Sequence, residues 1–166
     1  LRFFAPVLLV ALIFGNYSCS KVGVLSFTPT DVTIALDVNA STGDTFVKDT
    51  TVNNSIKKEI ENKNISTSNI KAILLKKIVA TIPSNANLNY EDIDSATFSI
   101  DGVEVAKLPT SKTGKTVSLT IMKEDVTTYL LEKSQLTFKY NAKTNKATPA
   151  AKITLTLTHD VQYQVL

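Results

Sequence analysis

His159 is the only histidine in the 166-residue chain. A general base, a triad member or an imidazole metal ligand would have to be this residue. It lies in a strictly alternating segment, on the apolar side with Ile153, Leu155, Leu157, Val161, Tyr163 and Val165. Asp160 follows it directly, and neighbouring strand residues point to opposite faces, so the two cannot form a His–Asp couple. An interior or strand-end histidine with a local hydrogen bond is the expectation. No GxSxG, HExxH or Gly-rich phosphate-binding motif accompanies it. A second group of chemistry-bearing residues is Asn85, Asn87, Asn89, Tyr90, Asp92 and Asp94, which place oxygens close together in one polar stretch. Calcium takes such oxygens, but the spacing lacks the glycine and terminal glutamate of an EF-hand. These six residues are therefore read as a turn-forming loop and a candidate contact surface. No catalytic residue, metal site or cofactor is expected.

Cys19 is the single cysteine, which excludes an intramolecular disulfide and a cysteine-based metal site. The formal net charge is +3. Beyond Arg2 every basic residue except His159 is lysine, mixed with acidic residues rather than massed in a stripe. Such a domain has no planar guanidinium fork for phosphate or guanine and no basic footprint, so nucleic acid is not an expected partner. Trp is absent, which weakens a sugar-stacking platform. Tyr129, Tyr140, Tyr163, Phe98 and Phe138 are expected mostly in the core, with Tyr90 the loop exception. Asn39-Ala40-Ser41, Asn53-Asn54-Ser55 and Asn64-Ile65-Ser66 match the N-glycosylation triplet, a match that the abundance of Asn and Ser makes uninformative.

Arg2 precedes an apolar run from Phe3 to Gly15, and Ser18-Cys19-Ser20-Lys21 follows. A positive start, a short apolar run and a small-residue junction make an export signal. The run falls short of the roughly 20 apolar residues that span a bilayer. Residues 18–21 resemble the cleavage region of bacterial lipoproteins, in the loose form found in Bacteroidota. The resemblance covers this signal alone. It implies that Cys19 becomes the first mature residue and carries acyl chains, and that the protein is exported to an outer membrane. Two other readings stay open: a secretory site cut after Ser20 with the cysteine discarded, and an uncleaved anchor or buried helix.

The remaining elements follow from periodicity. Val22–Thr28 is a first strand or a lead-in arm, stopped by Pro29. Asp31–Val38 alternates, with Val32, Ile34, Leu36 and Val38 inward. A turn at Asn39–Asp44 precedes a strand at Thr45–Thr51. Val52, Ile56 and Ile60 recur at helical spacing as a short amphipathic helix. Asn69–Ile82 reads as a long, bulged strand with Ala72, Leu74, Ile78, Ala80 and Ile82 on one face, and a helix through Lys77 is the alternative. Asp101-Gly102 between Ala96–Ile100 and Val103–Leu108 marks a hairpin with a type I′ turn. Val117–Ile121 is a strand and Glu124–Lys133 a helix carrying Val126, Tyr129 and Leu130. Leu136–Tyr140 is a strand and Asn141–Pro149 a loop. The last alternating segment is a long strand, bent or passed between sheets near His159-Asp160.

Strands at this spacing predict an all-β fold: an antiparallel β-sandwich, immunoglobulin-like or related, with two short helices. An α+β roll is the alternative. The expected organisation is a signal at 1–18, an anchor cysteine and lead-in at 19–30, and one domain at 31–166. The expected function is a membrane-anchored, non-enzymatic binding or assembly module, exported and facing the periplasm or the cell surface, or else secreted. Its contact surfaces are the edge strands and the loops Ser84–Asp94, Pro109–Lys115 and Asn141–Pro149, and a protein or glycan is the partner class. The alternative function is a carrier of a small apolar or lipid ligand between the sheets.

Overall fold

Alternating β-branched and apolar residues make the strands, and a computed structural model shows how they pair. It describes residues 23–38, 45–145, 147 and 149–165. The expectations for the leader with Cys19 and for the turn at Asn39–Asp44 lie outside the described residues. The described elements are β1 (Val24–Phe27), β2 (Val32–Val38), β3 (Thr45–Asn53), α1 (Ser55–Asn62), β4 (Ile70–Thr81), β5 (Ile93–Ile100), β6 (Val103–Lys107), β7 (Thr116–Ser118), β8 (Thr120–Ile121), α2 (Thr127–Glu132), β9 (Gln135–Thr144) and β10 (Ala151–Gln164).

The strands form two antiparallel sheets packed face to face. In the first, β10 pairs with β4 on one side and with both β1 and β2 on the other, and β7 adds to β4. The second runs β3-β9-β5-β6-β8. This is the expected β-sandwich with two short helices, and not a roll. It starts before residue 31, because Val24–Phe27 is already paired with Phe27↔Val161 and Val24↔Gln164.

The core fills the space between the sheets. Ile34, Leu36, Leu75, Ile78, Leu155 and Leu157 come from the first sheet, and Phe98, Ile100, Leu136, Phe138 and Tyr140 from the second. Phe98 and Phe138 stack with ring centroids 5.8 Å apart, and Phe46 lies 6.0 Å from Tyr140. Burying such side chains contributes about 1.5–3 kcal/mol each.

Several elements depart from their sequence patterns for reasons the pairing makes plain. In β4 the buried residues are Ile70, Ile73 and Leu75, then Ile78 and Ala80, so Leu74 and Ala72 do not share a face with Ile78. The register jumps from Thr158↔Lys77 to His159↔Leu75, which leaves Lys76 as a bulge that inverts the parity. The anomaly near His159 is therefore on β4, and β10 stays in one sheet. Val52 belongs to β3, opposite Leu136, and not to the helix. The helix begins behind Asn54, whose side chain accepts from the Lys57 N–H. Val117–Ile121 divides between the sheets, β7 joining β4 and β8 joining β6.

The second helix is shorter than Glu124–Lys133. The Leu75 N–H donates to the Glu124 carbonyl and the Val126 N–H to the Ile73 carbonyl, so residues 124–126 lie along β4 ahead of the helix, with Asp125 bridged to Leu74. Asp125 Oδ1 accepts from the Thr127 N–H and Oγ1, which lowers its pKa and closes the entry to α2. Asn141–Thr144 is strand rather than loop. Tyr140, Ala142 and Thr144 continue the inward face, and β3 and β5 pair with both edges of β9. The Asp101-Gly102 turn is as expected, with φ of 50° and 84°.

Candidate functional site

Strand directions bring the expected contact loops to one end of the sandwich. β4 leads into Ser84–Asp94 there, and its Thr81 pairs with Thr116, just after Pro109–Lys115. The end of β9 arrives beside them, with Thr144 opposite Ile93. These loops interlock. The Tyr90 N–H donates to the Gly114 carbonyl at 2.9 Å, and the Gly114 N–H donates to both Glu91 carboxylate oxygens at 2.9 Å. Gly114 has φ of +71°, the left-handed conformation that lets its N–H turn toward Glu91. This bond and others from the backbone hold the Glu91 carboxyl below the usual carboxylate range. Lys115 Nζ donates to the Ala86 and Leu88 carbonyls, both at 2.5 Å. Just past β9, the Asn145 N–H donates to the Asp92 carbonyl at 3.0 Å and its amide to the Glu91 carbonyl at 3.3 Å.

The six singled-out loop residues divide within this cap. Asn85, Asn87, Asn89 and Asp94 are exposed and Asp92 is half-buried. Asn89 and Asp92 cap each other around the 3-10 turn Tyr90–Asp92, and Asp92 Oδ2 accepts from the Asn89 N–H. That closes a local turn and occupies oxygens a cation would need. Among the described residues, no group of three or more His, Cys, Asp or Glu side chains is arranged to hold a metal. Tyr90 corrects the sequence reading: it is 0% exposed and fills the core rather than facing a partner. Burial drives its phenol pKa, and that of Tyr140, far upward. Glu91, Gly114 and Lys115 knit the cap and were not singled out from the sequence. Their partners lie more than 20 residues away, so no local pattern marks them.

His159 sits in the first sheet at 2% exposure. It lies where β10 passes from β1 to β2, beside the connecting residues 28–31. Among the described residues neither ring nitrogen has a hydrogen-bond partner, so the expected local bond is not formed. Burial pushes the imidazole down to about 4, with the Asp31 carboxylate pulling the other way. A neutral imidazole so enclosed does not reach a substrate at the surface.

No protein-family model matches the chain, and no curated protein matches it. Among solved structures it is similar to a chain of desmodium yellow mottle tymovirus, at 13% identity and a TM-score of 0.29, covering 99% of this chain and 95% of that one. A likeness that loose carries no argument about function, and the fold rests on the strand pairing above.

Proposed function

We propose that the protein is an exported lipoprotein, held on an outer membrane through Cys19, and that it works as a non-enzymatic binding or assembly module whose contact surface is the loop cap. The observation that carries this reading is the placement of the two ends. Val24 pairs at one end of β10, beside Ile70 at the start of β4, and Cys19 lies four residues before Gly23. The cap lies past Thr81, at the other end of the same strand. Twelve strand residues separate the ends by roughly 35–40 Å. An anchor at Cys19 thus directs the cap away from the bilayer, where a protein or glycan partner can meet it. Among the described residues, no helix is long and apolar enough to cross a membrane. Enclosure of His159 in the core supports a role in contact rather than reaction.

Metabolic labelling with a palmitate analogue tests the anchor. Wild-type protein takes the label and sediments with the outer membrane, whereas Cys19→Ala takes none and is released. A wild-type protein without label, fractionating like Cys19→Ala, overturns the reading in favour of a secreted form.

A further inference from the structure

Val24, Leu25 and Val165 are 60%, 49% and 48% exposed and share one corner of the molecule. Val24 pairs with Gln164 and Leu25 with Tyr163, and the Val165 N–H reaches the Gly23 carbonyl at 3.4 Å. Successive strand residues point to opposite faces. Leu25 and Val165 therefore lie on the face of Tyr163, and Val24 lies on the other beside Ser26 and Gln164, so each side of the β1–β10 tip carries an exposed apolar residue. A flat protein surface covers one face of such a tip, whereas a medium that surrounds it covers both.

The residues behind the tip fit a polar–apolar boundary. Tyr163 is half-buried and meets Phe27 edge-on at 6.1 Å, and Lys63 Nζ lies 4.9 Å from the Phe27 ring centroid. Lys71 is exposed and bulges from β4, because Ile70 pairs with Tyr163 and Ala72 with Gln162. Amphipathic tyrosines and long-stemmed lysines settle at bilayer interfaces, where the ammonium groups meet phosphates. Four residues from Cys19 to Gly23 reach at most about 14 Å. An acylated Cys19 therefore keeps this corner at the membrane surface.

We infer that the β1–β10 tip inserts into the headgroup–acyl boundary of the phospholipid bilayer that holds Cys19, which orients the domain as well as tethering it. This rests on the lipoprotein reading. The test uses full-length acylated protein in phosphatidylethanolamine–phosphatidylglycerol vesicles, with a fluorophore on Ser26→Cys at the tip or on Ser111→Cys in the cap. Nitroxide-labelled lipid quenches the probe at position 26 several-fold more than the one at 111, and aqueous iodide quenches it less. Equal lipid quenching at both positions in palmitate-labelled protein overturns the insertion and leaves the anchor standing. Iodide shielding at 26 without lipid quenching overturns it in favour of a second copy covering the tip. Absence of palmitate on Cys19 overturns the anchor and the insertion with it.

Discussion

At the scale of single residues, the consequential group inside the sandwich is His159. Its folded pKa of about 4 lies below the ordinary 6.5, so between these values the unfolded chain binds a proton that the folded chain does not. Stability then rises with pH across this window. The contribution is complete above about pH 6.5 and is lost as pH falls toward 4, a loss on the order of 3 kcal/mol. His159→Leu, which fills a similar volume without a titrating group, removes this term. Urea unfolding at pH 7.5 and pH 4.5 measures it: wild type should lose about 2–3 kcal/mol more than the variant on going to pH 4.5. Parallel losses in the two proteins would show that His159 does not titrate on unfolding. Period-two patterning in the sequence already put this side chain on the buried face. It did not show that both ring nitrogens go without partners among the described residues, because that depends on which side chains the other strands bring up.

Among the elements, the two helices are joined to each other through one side chain. Asn54 is buried, caps α1 by accepting from the Lys57 N–H, and donates its amide to the Leu130 carbonyl at 2.6 Å and the Lys133 carbonyl at 2.9 Å. A helix as short as α1 is marginal alone, so its stability comes from this cap and from burying Ile56 and Ile60. Asn54→Ala removes the cap and strands two carbonyls, for a cost of about 2–3 kcal/mol. Asn54→Asp keeps the acceptor but loses both donated bonds. Its new carboxylate oxygen meets those two carbonyls in a buried site, so the denaturation midpoints of both variants should fall below wild type, and equal midpoints would refute the assignment. The helical spacing of Ile56 and Ile60 was legible in the sequence, whereas the boundaries were not. Val52 fits the helical period as well as it fits a strand, and pairing with Leu136 decides the matter. Likewise Glu124 and Asp125 suit a helix start, but β4 captures them ahead of the helix.

At the scale of the molecule, the buried side chains of both sheets form one continuous cluster among the described residues, joined by Tyr90 from the cap and by Ile56, Ile60 and Leu130 from the helices. A single cluster predicts a single cooperative transition. Far-ultraviolet circular dichroism and tyrosine fluorescence should trace superimposable thermal curves, with calorimetric and van't Hoff enthalpies equal. Separate melting of the cap would show that Glu91, Gly114 and Lys115 do not couple it to the sheets.

Taken alone, the amino-acid sequence determined the features that depend on neighbours along the chain. Strand alternation in β2, β9 and β10 follows from period-two burial, and the Asp101-Gly102 turn from the need for positive φ. The lack of a nucleophile–base motif and the Ser18-Cys19-Ser20-Lys21 junction are likewise local. Tertiary structure decided what depends on residues far apart in the chain. The Lys76 bulge that inverts β4 is defined only against β10, and the split of Val117–Ile121 only by its two separate partners. Antiparallel pairing gathered the loops Ser84–Asp94 and Pro109–Lys115 and the end of β9 at one end of the sandwich and placed Val24, Leu25 and Val165 together at the other. Tyr90, which reads as a loop residue, became core because the cap folds over it. Each of these depends on which strands become neighbours, and pairing partners are not encoded in the spacing of any one segment.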